Sequence, residues 1–508
     1  MGWFKSMLQK AAIKFLNVQP AMQNSITIQE AYTYETNLIR NKLWYRGEAY
    51  ELEQFFKNIS SDPVNKARFW SAVPSKDLMI RKIHSGLPAM IADRLTDIII
   101  ADIDNIEIKP ENKAWEEISK ENKFFEILAD SICRTLVSGD GAFKISIDTD
   151  ISKYPIIEFF DSDRVDYVRK RGRIQEIVFK TIYMKETRKY ILKEIYGFGY
   201  VKYQLEDERG NQQELSLLEE TKELKDVSFD KSLIMAIPLM FFKSVKFEGR
   251  GKSIFDNKSD SFDALDEVIS QWMDAIRDGR VQRYIPEDLI PRNPNTGELL
   301  KPNPFDNKFI ATGTSMAENA TAKIETSQAE INYLAYAESY ANALDMCLQG
   351  IISPSTLGID LKKTDNAEAQ REKEKTTLYT RNKLIDVLTE VIPQLVATIL
   401  KTNDILNNKT PGQYEVSITF GEYASPSFDT VVDVVGKAKS YGIMSIEKVV
   451  DELYGDTMTD EEKAIEIRLI KEQNGMMIAE EPKAVDEVIE EDEDIEEVEA
   501  DDSGELDE

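Results

Sequence analysis

The sequence predicts an α+β chain, predominantly α, organised around one helix–insert–helix excursion. Three observations carry that expectation. Apolar residues recur at gaps of three and four along most of the 508 residues, the period of amphipathic helices. From Phe143 to about Tyr203 the period changes to two, the signature of half-buried strands. Between Asp260 and Gly350 two helical patterns of similar length flank a stretch, Val281 to about Glu325, rich in Pro, Asn and Gly.

The elements follow in order. Trp3, Phe4, Met7, Leu8, Ala11, Ala12, Phe15 and Leu16 form the apolar stripe of a short helix, with Lys5, Lys10 and Lys14 on other faces. It is too short and too polar to span a bilayer. It suits docking on its own protein or a partner, with a membrane surface as the alternative. Met1-Gly2 with Ser6 formally fits the myristoylation pattern. Helices are expected over Ile28–Glu53, Pro88–Ala101 and Trp115–Val137, and a short strand over Asn105–Ile108, stopped by Pro110. Gly139-Asp140-Gly141 turns the third helix into strands Phe143–Ile147, Ile156–Phe160, Ile174–Ile182 and Lys189–Ile195. Lys170-Arg171-Gly172-Arg173 reads as a hairpin tip, either a solvated turn or a nucleic-acid contact. Leu233–Phe242 reads as a buried strand, too short to cross a membrane.

The excursion begins with a helix whose stripe is Phe262, Leu265, Val268, Ile269, Trp272, Met273 and Ile276. Asp260 or Ser261 suits its N-cap and Gly279 its C′ position. The returning helix carries Tyr333, Ala337, Tyr340, Leu344, Cys347 and Ile351, and Gly350 and Pro354 end it. Ser353–Asn366 is a loop containing Lys362 and Lys363. A long helix follows from Ala367 to about Lys401, with a kink expected at Pro393. Tyr414–Phe420 is a strand. Phe428–Asn474 is helical with a break at Gly442, and Thr459 with Glu462 makes a capping box for the last helix.

Composition narrows function. The formal charge is −29, and Glu480–Glu508 holds seventeen acids against one Lys, Lys483, leaving −13 for the other 479 residues. That tail is expected to be solvated. An acidic chain is poorly suited to tight sequence-independent DNA binding, which relies on Lys and Arg displacing counterions. It remains compatible with touching DNA weakly and letting it move. Two cysteines, Cys133 and Cys347, both in helical patterns, suit reduced core thiols. A single histidine, His84, leaves His-based metal sites and Ser/His/Asp triads unsupplied and is read as structural. No cofactor is expected.

Gly249-Arg250-Gly251-Lys252-Ser253 resembles the end of a phosphate loop, but the pattern needs Gly where Lys246 stands. A Gly-permitted turn into the first long helix of the excursion is the simpler reading. Asp263, Asp266 and Glu267 suit the polar face of that helix. Were such a face to line a pore, like charge would keep polyanionic DNA from sticking.

The order of these parts resembles a portal protein of tailed double-stranded DNA bacteriophages, of the siphophage type, from about Ile80 to Asn474. Four segments carry the resemblance: PAMIADRLTDIIIADIDNIEI; VSGDGAFKISIDTD with IIEFFDSDRV and the hairpin; GRGKSIFDNKSDSFDALDEVISQWMDAI; and YGIMSIEKVVDELYGDTMTDEEKAIEIRLIKEQNG. It implies a non-enzymatic homo-oligomeric ring, usually dodecameric, at one capsid vertex, assembled in the host cytoplasm. DNA would be packaged through it by the terminase and later ejected. The implied divisions are an N-terminal helical arm (1–50), an α/β wing (51–256), stem helices (257–280 and 327–351) and a clip (281–326). A tunnel loop (352–366), a long wing helix with a strand (367–427), a helical crown (428–475) and the acidic tail (476–508) complete them. Lys362, Lys363 and Thr364 become DNA-contacting candidates, and Asp266, Glu267 and Asp274 channel-lining acids. Arg283, Tyr284, Asn293, Asn295 and Lys301 become clip residues facing the terminase large subunit and the head-completion or adaptor protein. Major capsid protein and scaffold are further implied partners; a membrane is not. A nucleotide-dependent packaging enzyme and an acidic helical scaffolding protein are the alternatives the residues leave open.

Overall fold

The computed structural model describes residues 32–59, 68–72, 80–279, 281–286, 290, 292–298, 309–312, 324–359, 367–421, 428–454 and 458–473. The chain divides into two units, Met1–Tyr423 and Ala424–Glu508. The fold is mixed, with helices and antiparallel sheets sharing one main core in the first unit.

Helix α1 (Tyr34–Arg46) is capped by Thr33, whose hydroxyl accepts the amide of Thr36, and stops at Gly47, φ +72°. Helix α2 (Ala49–Ile59) follows. The single helix expected over 28–53 is thus two, because Gly47 takes a left-handed conformation that ends the first. Helix α3 (Leu87–Ala101) packs an almost wholly buried face of Ile91, Leu95 and Ile99. The helix expected over 115–137 is also two, α4 (Ala114–Glu121) and α5 (Phe124–Ser138), broken where Lys123 turns to φ +51°.

Strand β1 (Ile103–Lys109) pairs with a strand over 300 residues away, described below. β2 (Gly141–Ser146) is buried along nearly its whole length and lies between β3 (Ile156–Asp161) and a later strand. β4 (Val165–Lys170), β5 (Arg173–Lys185), β6 (Arg188–Gly197), β7 (Tyr200–Asp207) and β8 (Gln212–Gln213) run as an antiparallel meander, with β9 (Val227–Ser228) also on β7. β10 (Ala236–Leu239) completes the β2 sheet. The β4–β5 tip has Arg171 at φ 51° and Gly172 at φ 78°, the two-residue hairpin geometry, and all four of its residues are exposed. β4 and β7 are not among the expected strands; β4 is short and polar at its end, whereas in β7 Val201, Tyr203 and Leu205 do alternate with Lys202, Gln204 and Glu206.

Helix α6 (Ser259–Asp278) leaves this body and α7 (Tyr333–Leu348) returns to it. Between them lie β11 (Gln282–Pro286), β12 (Phe309–Thr312) and β13 (Glu325–Ser327), with β11 parallel to β12 and antiparallel to β13. Helix α8 (Ala367–Leu406) runs on through Pro393 and buries Leu384, Leu388, Leu395 and Ile399 in the core. β14 (Glu415–Phe420) then pairs antiparallel with β1, from Lys109↔Glu415 to Ile103↔Phe420. Fully burying any one of these aliphatic or aromatic side chains stabilises by about 1.5–3 kcal/mol.

The second unit holds α9 (Phe428–Ser440), α10 (Ile446–Tyr454) and α11 (Asp460–Gln473). The capping box forms at α11: Thr459 N donates to Glu462 Oε2 at 2.9 Å, and Glu462 N to Thr459 Oγ1 at 3.4 Å. Among the described residues, no helix is long and apolar enough to cross a membrane, and no His, Cys, Asp and Glu group is placed to hold a metal ion.

Candidate functional site: the helix pair and its base

The pair α6–α7 is antiparallel and fixed at both ends. At the body end, Lys258 Nζ donates to the carbonyls of Met346 (2.7 Å) and Gln349 (2.8 Å), the last turn of α7. Those carbonyls would otherwise be unsatisfied, and a cation belongs at the negative end of a helix. Midway, the Trp272 ring stacks parallel to Tyr336 with centroids 6.3 Å apart. At the far end, Gly279 closes α6 against Ile331. Gly279 has φ −70°, so its backbone is not the left-handed C′ expected. Glycine is needed there because a Cβ would run into the Ile331 side chain.

The N-terminus of α6 also differs from expectation. The helix begins at Ser259 and its N-cap is Lys258, with no side-chain cap bond, so neither Asp260 nor Ser261 caps it. Ser259 Oγ instead accepts the indole N–H of buried Trp44.

One face of α6 is tied to the stretches around residues 70 and 84 by a ladder of acceptors. Asp263 accepts the amides of Phe69 (3.0 Å) and Trp70 (3.2 Å). Asp266 accepts Trp70 Nε1 (3.1 Å), Ser85 N (2.8 Å) and His84 Nδ1 (2.7 Å). Ser270 Oγ accepts Ile83 N (2.9 Å). These positions are three and four apart, one stripe of the helix. Asp266 is 0% exposed. Its expected place as a channel-facing acid is therefore corrected: the carboxylate points into the protein because three buried donors need it. Burial pushes the Asp263 carboxyl above its ordinary range, opposed by the two amides. His84, read as structural, sits between Trp44 and Trp70 with Nε2 buried and without a hydrogen-bond partner among the described residues.

Glu267 and Asp274 are half-buried. Glu267 accepts Gln271 Nε2 at 2.9 Å, and Asp274 lines a cavity of about 450 Å³ with Gly279, Glu330, Asn332 and Tyr336. Arg283 and Asn295 are exposed, Tyr284 and Asn293 half-buried. Asn293 Oδ1 accepts Asn295 N (3.0 Å) in a turn closed by Gly297 N to Asn293 O (2.8 Å). Lys301 lies outside the described residues, as do Lys362, Lys363 and Thr364. The first half of their loop is described. Ser353 N donates to Thr377 Oγ1 on α8 (2.9 Å), and Ile351, Ile352 and Leu357 are buried.

The Gly249–Ser253 turn is committed to the protein. Gly251 N donates to Asp140 Oδ2 (2.7 Å), Lys252 N to Phe242 O (2.8 Å) and Ser253 N to Asp256 Oδ2 (3.1 Å). Arg250 donates to Val165 O, Ser162 O and Tyr34 Oη and lies 3.3 Å from Asp140. A Cβ on Gly251 would collide with the backbone of Gly139, so the two glycine turns interlock. Burial raises the Asp140 carboxyl, offset by Arg250. Cys133 and Cys347 are unpaired, their thiols pushed by burial up to about 11 and about 12.

No family model matches the chain, and no curated protein matches it. Among solved structures, a chain from the neck of an empty GTA particle computed with C6 symmetry is 11% identical. The match covers 76% of this chain and 91% of that one, with a TM-score of 0.36. A chain from the neck of a native GTA particle computed with C12 symmetry is 12% identical over 75% and 90%, with a TM-score of 0.33. A likeness this distant places no residue.

The sequence reading missed Asp263 and Ser270 as ladder members and Lys258 as a clamp. The first two were visible as polar residues sharing Asp266's helical period. Nothing in the sequence marks which lysine reaches α7.

Proposed function

We propose that this chain is one subunit of a phage-type portal ring, in which α6 and α7 are the stem, β11–β13 the clip, and the loop through Lys362, Lys363 and Thr364 a channel contact for double-stranded DNA. One observation carries the reading. An antiparallel helix pair leaves an α/β body, carries a small sheet at its tip, and returns to its starting point through the Lys258 clamp. The side chains left bare on the single chain support it. Met273, Ile276, Tyr333 and Leu334 are each more than two-fifths exposed. A helix pair of this kind completes its burial only against neighbouring copies.

The mechanism is mechanical and electrostatic. A ring gives DNA a passage, acids such as Glu267 and Asp274 keep the wall from holding it, and a few lysines supply contacts weak enough to break at cellular salt. The terminase large subunit and the head-completion protein would meet the clip at Arg283, Tyr284, Asn293, Asn295 and Lys301. The nucleotide-dependent alternative loses its motive, since the amides of Arg250, Gly251, Lys252 and Ser253 already have acceptors within the chain.

Negative-stain imaging and mass photometry of the purified protein test the proposal. Closed rings are expected; monomers alone across a range of salt concentrations would overturn it.

A further inference from the structure

A cavity of about 370 Å³ lies beside the start of α6, lined by Tyr32, Asn37, Arg40, Arg68, Lys246 and Asp256 together with the first turn of the helix. Arg40 is only 4% exposed. Its Nη2 is held by Asn37 Oδ1 (2.7 Å) and Asn41 Oδ1 (3.2 Å), and its Nε reaches Asn41 Oδ1 at 3.4 Å. The guanidinium lies over the Tyr32 ring, 5.3 Å from its centroid. The acid nearest Arg40, Asp256, is 3.7 Å away and already accepts Asn37, Asn41 and Ser253 N. Arg40 is thus a buried cation whose neutralisation is incomplete, and burial draws its guanidinium below its ordinary range, with Asp256 opposing.

Three further features converge there. Arg68 pairs with the exposed carboxylate of Asp260 at 2.7 Å, and its Nη1 is buried without a hydrogen-bond partner. Lys246 adds a third cation to the lining. The twenty-residue helix α6 starts at Ser259 without a side-chain cap. An uncapped helix N-terminus presents free N–H groups and the positive end of the helix dipole. Arg40, Arg68 and Lys246 thus line one cavity beside Asp256 and Asp260, in a chain whose overall charge is −29.

We propose that this cavity is a binding site for an oxyanion of the phosphate class, held by Arg40, Arg68 and Lys246 against the first turn of α6. The inference stands apart from the portal reading, because the cavity is built within one chain. The phosphate could be free or carried by a nucleic-acid backbone, and the two sources are separable.

Full-length protein is titrated with inorganic phosphate by calorimetry, and its thermal midpoint is followed in phosphate and in chloride at matched ionic strength. A duplex oligonucleotide is the second probe, read by fluorescence anisotropy. Saturable phosphate binding and a phosphate-specific rise in midpoint are expected, with affinity falling about tenfold or more in Arg68→Gln. Arg40→Lys keeps the charge and removes the fork, so it should weaken binding while the protein stays folded. Should Arg40→Lys not fold, Arg68→Gln and Lys246→Gln still decide, since both residues lie at the rim. Competition of phosphate with the oligonucleotide assigns the site to backbone phosphates, and phosphate binding without competition assigns it to a free anion. Equal stabilisation by chloride and phosphate, or undiminished phosphate affinity in both Arg68→Gln and Lys246→Gln, would overturn the proposal.

Discussion

Replacing Asp266 by alanine should unfold the base of the helix pair without touching any exposed surface. The carboxylate is fully buried and accepts three hydrogen bonds, from Trp70 Nε1, Ser85 N and His84 Nδ1. Truncation strands all three donors, each at about 1–3 kcal/mol. Allowing for some relaxation, the expected loss is about 3–6 kcal/mol, a large share of the roughly 5–15 kcal/mol that holds an ordinary domain together. Asp266→Asn keeps one carbonyl acceptor and should lose roughly half as much. The control is Glu267→Ala, one residue along the same helix, whose carboxylate accepts Gln271 Nε2 on the helix surface; its effect should stay within about 0.5 kcal/mol. Urea unfolding of the three variants, followed by tryptophan fluorescence, reads the difference, because Trp44 and Trp70 flank His84 in this cluster. If Asp266→Ala and Glu267→Ala were equally mild, the buried-acceptor assignment would be wrong and the channel-facing reading of Asp266 would return.

Other outcomes follow from the same structure. Gly251→Ala should yield little folded protein, because its Cβ collides with the Gly139 backbone and no side chain there can move aside; soluble expression and circular dichroism check this. Lys252→Ala, by contrast, should leave both stability and any nucleotide turnover unchanged, as the turn's amides bind protein acceptors; denaturation and a phosphate-release assay measure it. If the portal proposal holds, Met273→Glu with Leu334→Glu should leave the monomer folded and abolish rings in mass photometry, and Lys362→Ala with Lys363→Ala should leave rings intact while reducing DNA filling. Glu447, beside Lys471 at 2.7 Å, is held down to about 2 by that partner. A lowered carboxyl contributes stability above the unfolded value and loses it as pH falls towards 2. Acid titration of the second unit's helicity should therefore show a component in that window that Glu447→Gln lacks.

Much of the fold was legible in the pattern of apolar residues. The α6 stripe, the returning α7, the long α8, the strand at Glu415–Phe420 and the Thr459–Glu462 box all follow from local spacing, which is where sequence carries most information. The failures have a common cause. Gly47 and Lys123 break helices through a single backbone torsion, which no periodicity registers. Asp266 was assigned to solvent because an acid on a helix usually belongs there. Its donors come from residues 70, 84 and 85, nearly two hundred positions away, and no local pattern announces them. The same distance hid the Arg40–Arg68 cavity: neither arginine stands in a basic run, and the chain brings them together only by folding.

Lys258 joins the point where the chain leaves its body to the point where it comes back, spanning some ninety residues with one ammonium group. With the two mouths of the excursion held together, everything beyond them is a loop whose closure is already fixed. The entropy of such a closure grows only with the logarithm of length, about 0.6 kcal/mol for each doubling. The tip can therefore lengthen, shorten or be exchanged outright with little effect on the body that carries it. A replacement of residues 281–327 by a short polar linker should leave the core intact, making the tip a module that can change its partner independently of the rest of the chain.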